Sequence, residues 1–240
     1  MPSRFSWRQY PARPQPVSAV LAFDCAVSGQ GVAVLRDGVT LVSLLEEGRE
    51  QAARLLPAIA DALDRAAIAR RQLDLIAVTT GPGSFTGVRV GLSAARGLSV
   101  GLGIPLAGIP TTTVLRAQAP ATDRLVVAAV DTKLGDWFCA IGAEPEAFAT
   151  TAADLAARLA GRACLIVGKD VGPLVRSLRA ADIDAIAHDG PPDPAVLGGL
   201  AESVGVEKWR RRNREEGLPR PLYLRGVNIT LPDGARRTVE

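Results

Sequence analysis

Apolar and polar positions change period repeatedly along this chain, and each change marks an element. Residues 17–26 (VSAVLAFDCA) are almost continuously apolar and predict a buried strand. Residues 31–35 and 40–45 predict two more. Between them Arg36-Asp37-Gly38 reads as a tight turn, because Asp-Gly tolerates the positive φ that a hairpin needs. Ala52, Leu55, Leu56, Ile59 and Leu63 then fall at i, i+3, i+4, i+7 and i+11, one face of a helix over 49–67. Residues 73–79 (LDLIAVT) predict a strand that feeds the loop GPGSFTG and a helix over 88–101. A strand over 105–109 and a short helix over 111–118 complete the first half.

The second half begins again with strands over 124–130 and 137–142, joined by Asp131-Thr132-Lys133-Leu134-Gly135-Asp136. A helix over 151–160 follows, with Thr151 as N-cap and Asp154 three residues on. Then come a strand (165–168), a helix (171–181), a strand (183–187) and a helix (195–209). Hairpin strands followed by alternating helices and strands imply, in each half, a mixed sheet covered by helices. The expected division is a lobe over 17–115 and a second over 116–226, parted by the loop Ala119-Pro120-Ala121-Thr122-Asp123. Residues 1–16 and 227–240 are expected to be tails.

Composition narrows the class. Of 240 residues, 48% are hydrophobic and 22% charged, which excludes a disordered chain. No apolar run approaches the roughly 20 residues of a membrane-spanning helix, so no membrane role is expected. The segment MPSRFSWRQYPARPQP carries Arg4, Arg8 and Arg13 and has no apolar core, so it does not read as a secretory signal. It is expected to be a flexible basic tail or the product of an early start codon. Cys25, Cys139 and Cys164 stand far apart in apolar runs, without a CxxC or a Cys/His pairing. Buried thiols in a reducing cytoplasm account for them better than disulfides or zinc. The net charge of +3 permits an RNA partner without demanding one.

Candidate chemistry concentrates in TTGPGSFTGVRVGL (79–92), where a strand enters a glycine-rich turn and then a helix. N–H groups at a helix start favour anions. Yet no lysine follows Gly87 as a Walker loop requires, the glycine spacing misses the dinucleotide fingerprint, and Ser84 is not in a GxSxG elbow. An anion loop and a tight structural turn both remain open. The next helix carries Gly87, Gly91 and Ala95 at i, i+4 and i+8, a stripe of small residues that admits close helix packing. Gly91, Gly97 and Gly101 each cost about 1 kcal/mol against alanine within a helix, which points to packing against something.

With GPGSFTGVRVGLSAARGL in view, the chain resembles the TsaB (YeaZ) family of the actin-like, sugar-kinase-like ATPase superfamily. The likeness runs from about Val17 to Gly226. It includes AFDCA, ARLLP (53–57), GIPLAGIPT (103–111), VDTKLGDWF (130–138) and PLYLR (221–225). It implies two actin-like lobes, each a mixed five-stranded sheet flanked by helices. It also implies a role in making threonylcarbamoyladenosine, the tRNA modification beside the anticodon. There the TsaD-type transferase acts, a TsaB-type chain binds it, and a TsaE-type ATPase completes the set.

Catalytic relatives place two histidines four apart where Thr111 and Leu115 stand here, and the chain's one histidine, His188, is remote. Leucine cannot ligate a metal. At Asp24 the superfamily's Asp-x-Gly has become Asp-Cys-Ala, and Asp131-Thr132-Lys133 also lacks its glycine. The family's glycopeptidase association would need Ser84 and His188 together, and nothing in the sequence joins them. The resemblance therefore implies a non-catalytic scaffold, with no intrinsic cofactor and ATP or ADP at most at the partner interface. Leu55, Leu56, Ile59, Gly87, Gly91 and Ala95 are the expected partner-binding residues. Gln51-Ala52 replaces the family's histidine-serine pair beside them. Asp24, Gly81, Gly83, Ser84, Thr86 and Gly87 are the candidate nucleotide loop. Lys208, Arg210, Arg211 and Arg212, around Trp209, are candidate tRNA contacts, against the plainer reading of a solvated helix end. The other readings are an ATPase or kinase-like phosphotransferase acting alone, and a homodimer formed through the same helix pair.

Overall fold

The structure is a computed structural model that describes residues 18–48, 50–144, 146–224, 227–230 and 236–239. The expected tail over 1–16 lies outside them.

The first sheet follows the apolar pattern. β1 (Ala19–Asp24), β2 (Gln30–Arg36) and β3 (Val39–Glu46) form an antiparallel meander, turned at Asp37-Gly38, both at positive φ. α1 (Gln51–Arg65) leads to β4 (Leu75–Thr79), parallel to β1. α2 (Phe85–Leu102) leads to β5 (Leu106–Ile109), parallel to β4. The strand order is β3-β2-β1-β4-β5. Alternation divides β1 between two cores. Leu21 and Phe23 pack with Leu55, Ile59 and Leu63 of α1 and with Val88 and Leu92 of α2. Val20 and Ala22 face the other way.

α3 (Thr111–Ala117) connects to the second sheet. β6 (Leu125–Asp131), β7 (Trp137–Ile141) and β8 (Phe148–Thr150) form another meander. α4 (Ala152–Leu159), β9 (Cys164–Gly168), α5 (Gly172–Ala180) and β10 (Ala185–Asp189) complete the order β10-β9-β6-β7-β8. Thr151 caps α4 as expected, its hydroxyl accepting from Asp154 N at 3.1 Å. β8 escaped the sequence reading because three residues are too few to show a period.

Two expectations give way. The single helix expected over 195–209 is broken at Gly205 (φ 92°, ψ 140°) into α6 (Pro194–Val204) and α7 (Val206–Glu216). The break folds Trp209 back, so that its indole donates to the Ala201 carbonyl at 2.9 Å. The split at 115/116 also fails to follow the packing. Leu115 of α3, expected in the first lobe, is buried with Ala128, Val130, Leu165 and Val167 of the second sheet. Leu197 and Ala201 of α6 and Trp209 of α7, expected in the second, are buried on the first with Val20, Ala22, Ala33 and Ala77. The reason is coverage. α1 and α2 occupy one face of the first sheet and α4 and α5 one face of the second, and each remaining apolar face is covered from across the boundary. Gly198 lets α6 lie close, since a β-carbon there would strike Leu35.

α7 also seals an edge. The Asn213 side chain accepts from Leu106 N at 2.7 Å and donates to Leu106 O at 3.0 Å, standing in for a neighbouring strand. The chain then returns toward the loop after β4, where Leu222 N donates to Thr80 O at 2.8 Å. Where a tail was expected over 227–240, β11 (Val227–Thr230) and β12 (Arg236–Val239) pair as an antiparallel ribbon. Among the described residues no helix is long and apolar enough to cross a membrane.

Candidate functional site

The glycine-rich loop is shaped by its own lobe. β4 ends at Thr79, Gly81 takes φ 98°, and the Gly81–Pro82 bond is cis. Ser84 caps α2, its hydroxyl accepting from Gly87 N at 3.2 Å, while Ser84 N donates to Ala26 O at 2.6 Å. A β-carbon at Gly83 would collide with the Ala26 carbonyl oxygen, and one at Gly87 with that of Cys25. These glycines exist because the start of α2 lies against the end of β1. The N–H groups of Ser84 and Gly87 are engaged inside the loop rather than turned toward a phosphate.

Asp24 belongs to the same knot. It is 2% exposed. Its Oδ1 accepts from Ala26 N at 3.1 Å and from the Thr79 hydroxyl, joining β1 to β4. Burial raises its carboxyl to about 6, against the lowering effect of those hydrogen bonds. Burial pushes the neighbouring Cys25 thiol up as well, with Asp24 adding to it. Of the expected nucleotide loop, Asp24, Gly81 and Gly87 are buried and Gly83 is half-buried, leaving Ser84 and Thr86 exposed.

A cleft of about 570 Å³ opens between the lobes, with Val27, Pro82 and Ser84 on one side and Val130, Lys133 and Phe138 on the other. Tyr223 lies at its end, with its hydroxyl accepting from Arg89 Nε at 2.9 Å. Both cleft lysines are paired. Lys133 meets Asp131 at 2.9 Å, and Lys169 reaches Glu47 of the other lobe at 3.1 Å. Asp24 does not line this space. Ser84 and His188 sit in different lobes, on the cap of α2 and on β10.

A second concavity, about 540 Å³, lies between α1 and α2. The expected partner-facing residues divide here. Leu55 and Ile59 are buried in the lobe, and so are Gly87, Gly91 and Ala95. A β-carbon at Gly91 would lie 3.5 Å from Val78 and 3.7 Å from Cys25 Cβ, so the expected stripe faces its own sheet. Leu56 alone of the six faces outward, at 55% exposure. The wall on α2 is Val90, Ser93 and Ala94, which sequence reasoning missed, and the outward face continues to Gly97, one of the glycines expected to mark packing. Gly97 and Gly101 have open space where a β-carbon would go. Phe85 stands at the mouth at 40% exposure, with the Arg89 guanidinium 3.6 Å over its ring. The signal that could have found this row is the second i, i+4, i+8 series, Ser93-Gly97-Gly101.

The basic cluster lies on α7. Lys208 and Arg211 are exposed, while Arg210 and Arg212 are half-buried. Arg210 approaches Glu207 at 3.4 Å, and Arg212 lies 4.9 Å over Trp209. Trp209 is buried and cannot stack on a base.

The family described as "TsaD: tRNA N6-adenosine threonylcarbamoyltransferase" matches residues 46–163. The tRNA threonylcarbamoyladenosine biosynthesis protein TsaB of Escherichia coli is 32% identical over 123 residues, 50% of this chain and 53% of that protein. The chain thus spans about half the length of the first curated relatives it matches. A longer match is an uncharacterized protein of Mycobacterium tuberculosis, 31% identical over 226 residues, 87% of this chain and 92% of that one. Among solved structures, YeaZ from Pseudomonas aeruginosa superposes with a TM-score of 0.63 at 25% identity, covering 86% of this chain and all of that one. An uncharacterized protein with similarity to peptidase YeaZ reaches 0.68 at 26% identity. Two helix-covered five-stranded mixed sheets with a cleft between them define a two-lobed protein of the actin-like superfamily. Within that class, the chain belongs to the TsaB/YeaZ family.

Proposed function

We propose that this chain acts in tRNA threonylcarbamoyladenosine synthesis as the non-catalytic subunit that binds a TsaD-type transferase through the outer groove of α1 and α2. One observation carries the reading: an apolar groove lined by exposed Leu56 and Phe85 with Val90, Ser93 and Ala94, beyond which α2 continues with open space at Gly97 and Gly101. Such a surface admits a partner helix at close range. The non-catalytic part is supported by Thr111 and Leu115, where the likeness places the metal histidines of catalytic relatives. Both side chains are fully buried. A TsaE-type ATPase completes the assembly, ATP or ADP acts at the interface with the partner, and tRNA is held mainly by the transferase. The phosphotransferase reading assigned its carboxylate to Asp24, whose burial weighs against it; of the carboxylates that do line the cleft, Asp131 is paired with Lys133.

Light scattering coupled to size exclusion tests the proposal, with the chain alone, with its own organism's TsaD, and with both plus ATP or ADP. A one-to-one complex that Leu56→Arg abolishes is expected. A folded Leu56→Arg variant binding unchanged would overturn the assignment of this face. Self-association of the wild type, lost in the same variant, would turn the reading to a homodimer.

A further inference from the structure

We propose that the end of the first lobe opposite the cleft is a docking surface for the phosphate backbone of a folded RNA. The choice of RNA rests on the reading above; the placement does not. α6 ends here, with Glu202 Oε1 accepting from Ser18 Oγ at 2.6 Å and from Gly38 N at 3.0 Å. α7 is pinned here through Asn213 to Leu106, the first residue of β5. It therefore lies across the end of the sheet where β1, β4 and β5 begin. Trp209 and Asn213 face inward, which turns Lys208, Arg211 and Arg214 outward, and all three are exposed. They recur at i, i+3 and i+6, so they span about 9 Å of helix at 1.5 Å per residue. Arg70 and Arg71, exposed just before β4, project at the same end from the other face of the sheet.

Charge sets the partner. Residues 206–220 hold six cations against three carboxylates, Glu207, Glu215 and Glu216. Glu207 approaches Arg210. Of the other acids at this end, Asp37 accepts from Ser18 N, Asp74 from Ala19 N, and Glu202 from Ser18 Oγ and Gly38 N; Asp61 pairs with Arg65, and Asp64 is exposed beside it. Among the described residues no ion pair involves Lys208, Arg211, Arg214, Arg70 or Arg71. A membrane surface fits poorly, since an interfacial helix needs an apolar face to insert and the large apolar residue of α7, Trp209, is turned into the core. The same burial leaves phosphate contact, without base stacking, as the mode of binding.

The test is fluorescence anisotropy of the full chain with a transcribed tRNA across a salt series. The five cations, each taking one phosphate, predict a roughly five-hundredfold loss of affinity between 50 and 200 mM salt. The variant Lys208→Gln/Arg211→Gln/Arg214→Gln should flatten the salt slope by about 3, and Arg70→Gln/Arg71→Gln by about 2. These side chains are exposed, and circular dichroism checks that the fold is kept. Salt slopes unchanged in both variants, or tighter binding to phosphatidylglycerol vesicles than to tRNA, would overturn the proposal. If the transferase fails to bind while the salt slopes behave as stated, the functional reading falls and this surface stands; the converse result separates them the other way.

Discussion

Two glycines on one helix should respond to the same substitution with opposite signs. Gly97 lies in the interior of α2 with nothing near the position of a β-carbon. Gly97→Ala should therefore realise the helix preference for alanine, about 1 kcal/mol or slightly less. Gly87 occupies the first turn of the same helix, where that preference is smaller. Its β-carbon would collide with the carbonyl oxygen of Cys25, a main-chain atom held by the strand β1 and unable to swing aside as a side chain would. Forcing atoms into a filled core costs about 1–3 kcal/mol, so Gly87→Ala should lose about 2 kcal/mol net. At this chain length 1 kcal/mol moves Tm by about 2–4 °C. Gly97→Ala should rise by that amount, and Gly87→Ala should fall by about 4–8 °C. Differential scanning calorimetry of the three proteins at one pH reads both. A Gly87→Ala variant as stable as the wild type would refute the claim that this glycine exists for packing, and would reopen the loop as a ligand cradle.

Asp24→Asn should show the cost of the buried carboxylate. Its carboxyl is raised from 3.8 to about 6, so the stability it contributes is complete below pH 4 and is lost as pH rises through 6. Urea melts should then favour the variant over the wild type by about 2 kcal/mol more at pH 7 than at pH 4, and a pH-independent difference would contradict the raised carboxyl. Gly97→Leu should keep or raise thermal stability yet weaken transferase binding at least tenfold in titration calorimetry, because its side chain would fill the row a partner helix needs. Asn213→Ala should cost about 1–3 kcal/mol in urea denaturation by stripping Leu106 of both main-chain partners at the β5 edge.

Local pattern alone determined most of the elements, though not β8, the break at Gly205 or the β11–β12 ribbon. The period-3.6 series in α1 marked a helix whose Leu55, Ile59 and Leu63 do face the core. The Asp37-Gly38 turn and the Thr151 cap were legible because each depends on neighbours within a few residues. The loop GPGSFTG and the segments around it were specific enough to mark the family. Tertiary structure decided everything that depends on which face meets what. Gly87, Gly91 and Ala95 form a valid small-residue stripe, but only the placement of α2 over Cys25 and Val78 shows that the stripe points inward and that Ser93, Gly97 and Gly101 point out. Asp24 stood among the candidate nucleotide-loop residues, and only β4, which puts the Thr79 hydroxyl beside it, shows it buried and hydrogen-bonded within the lobe. α3 and α6 could not be assigned to lobes from chain order, because a sheet face is covered by whichever apolar helix reaches it, and here each lobe is completed by the other's segment of chain. Helical period survives in sequence because it repeats every few residues; the partner of a face is separated by tens to hundreds of residues and leaves no period to read.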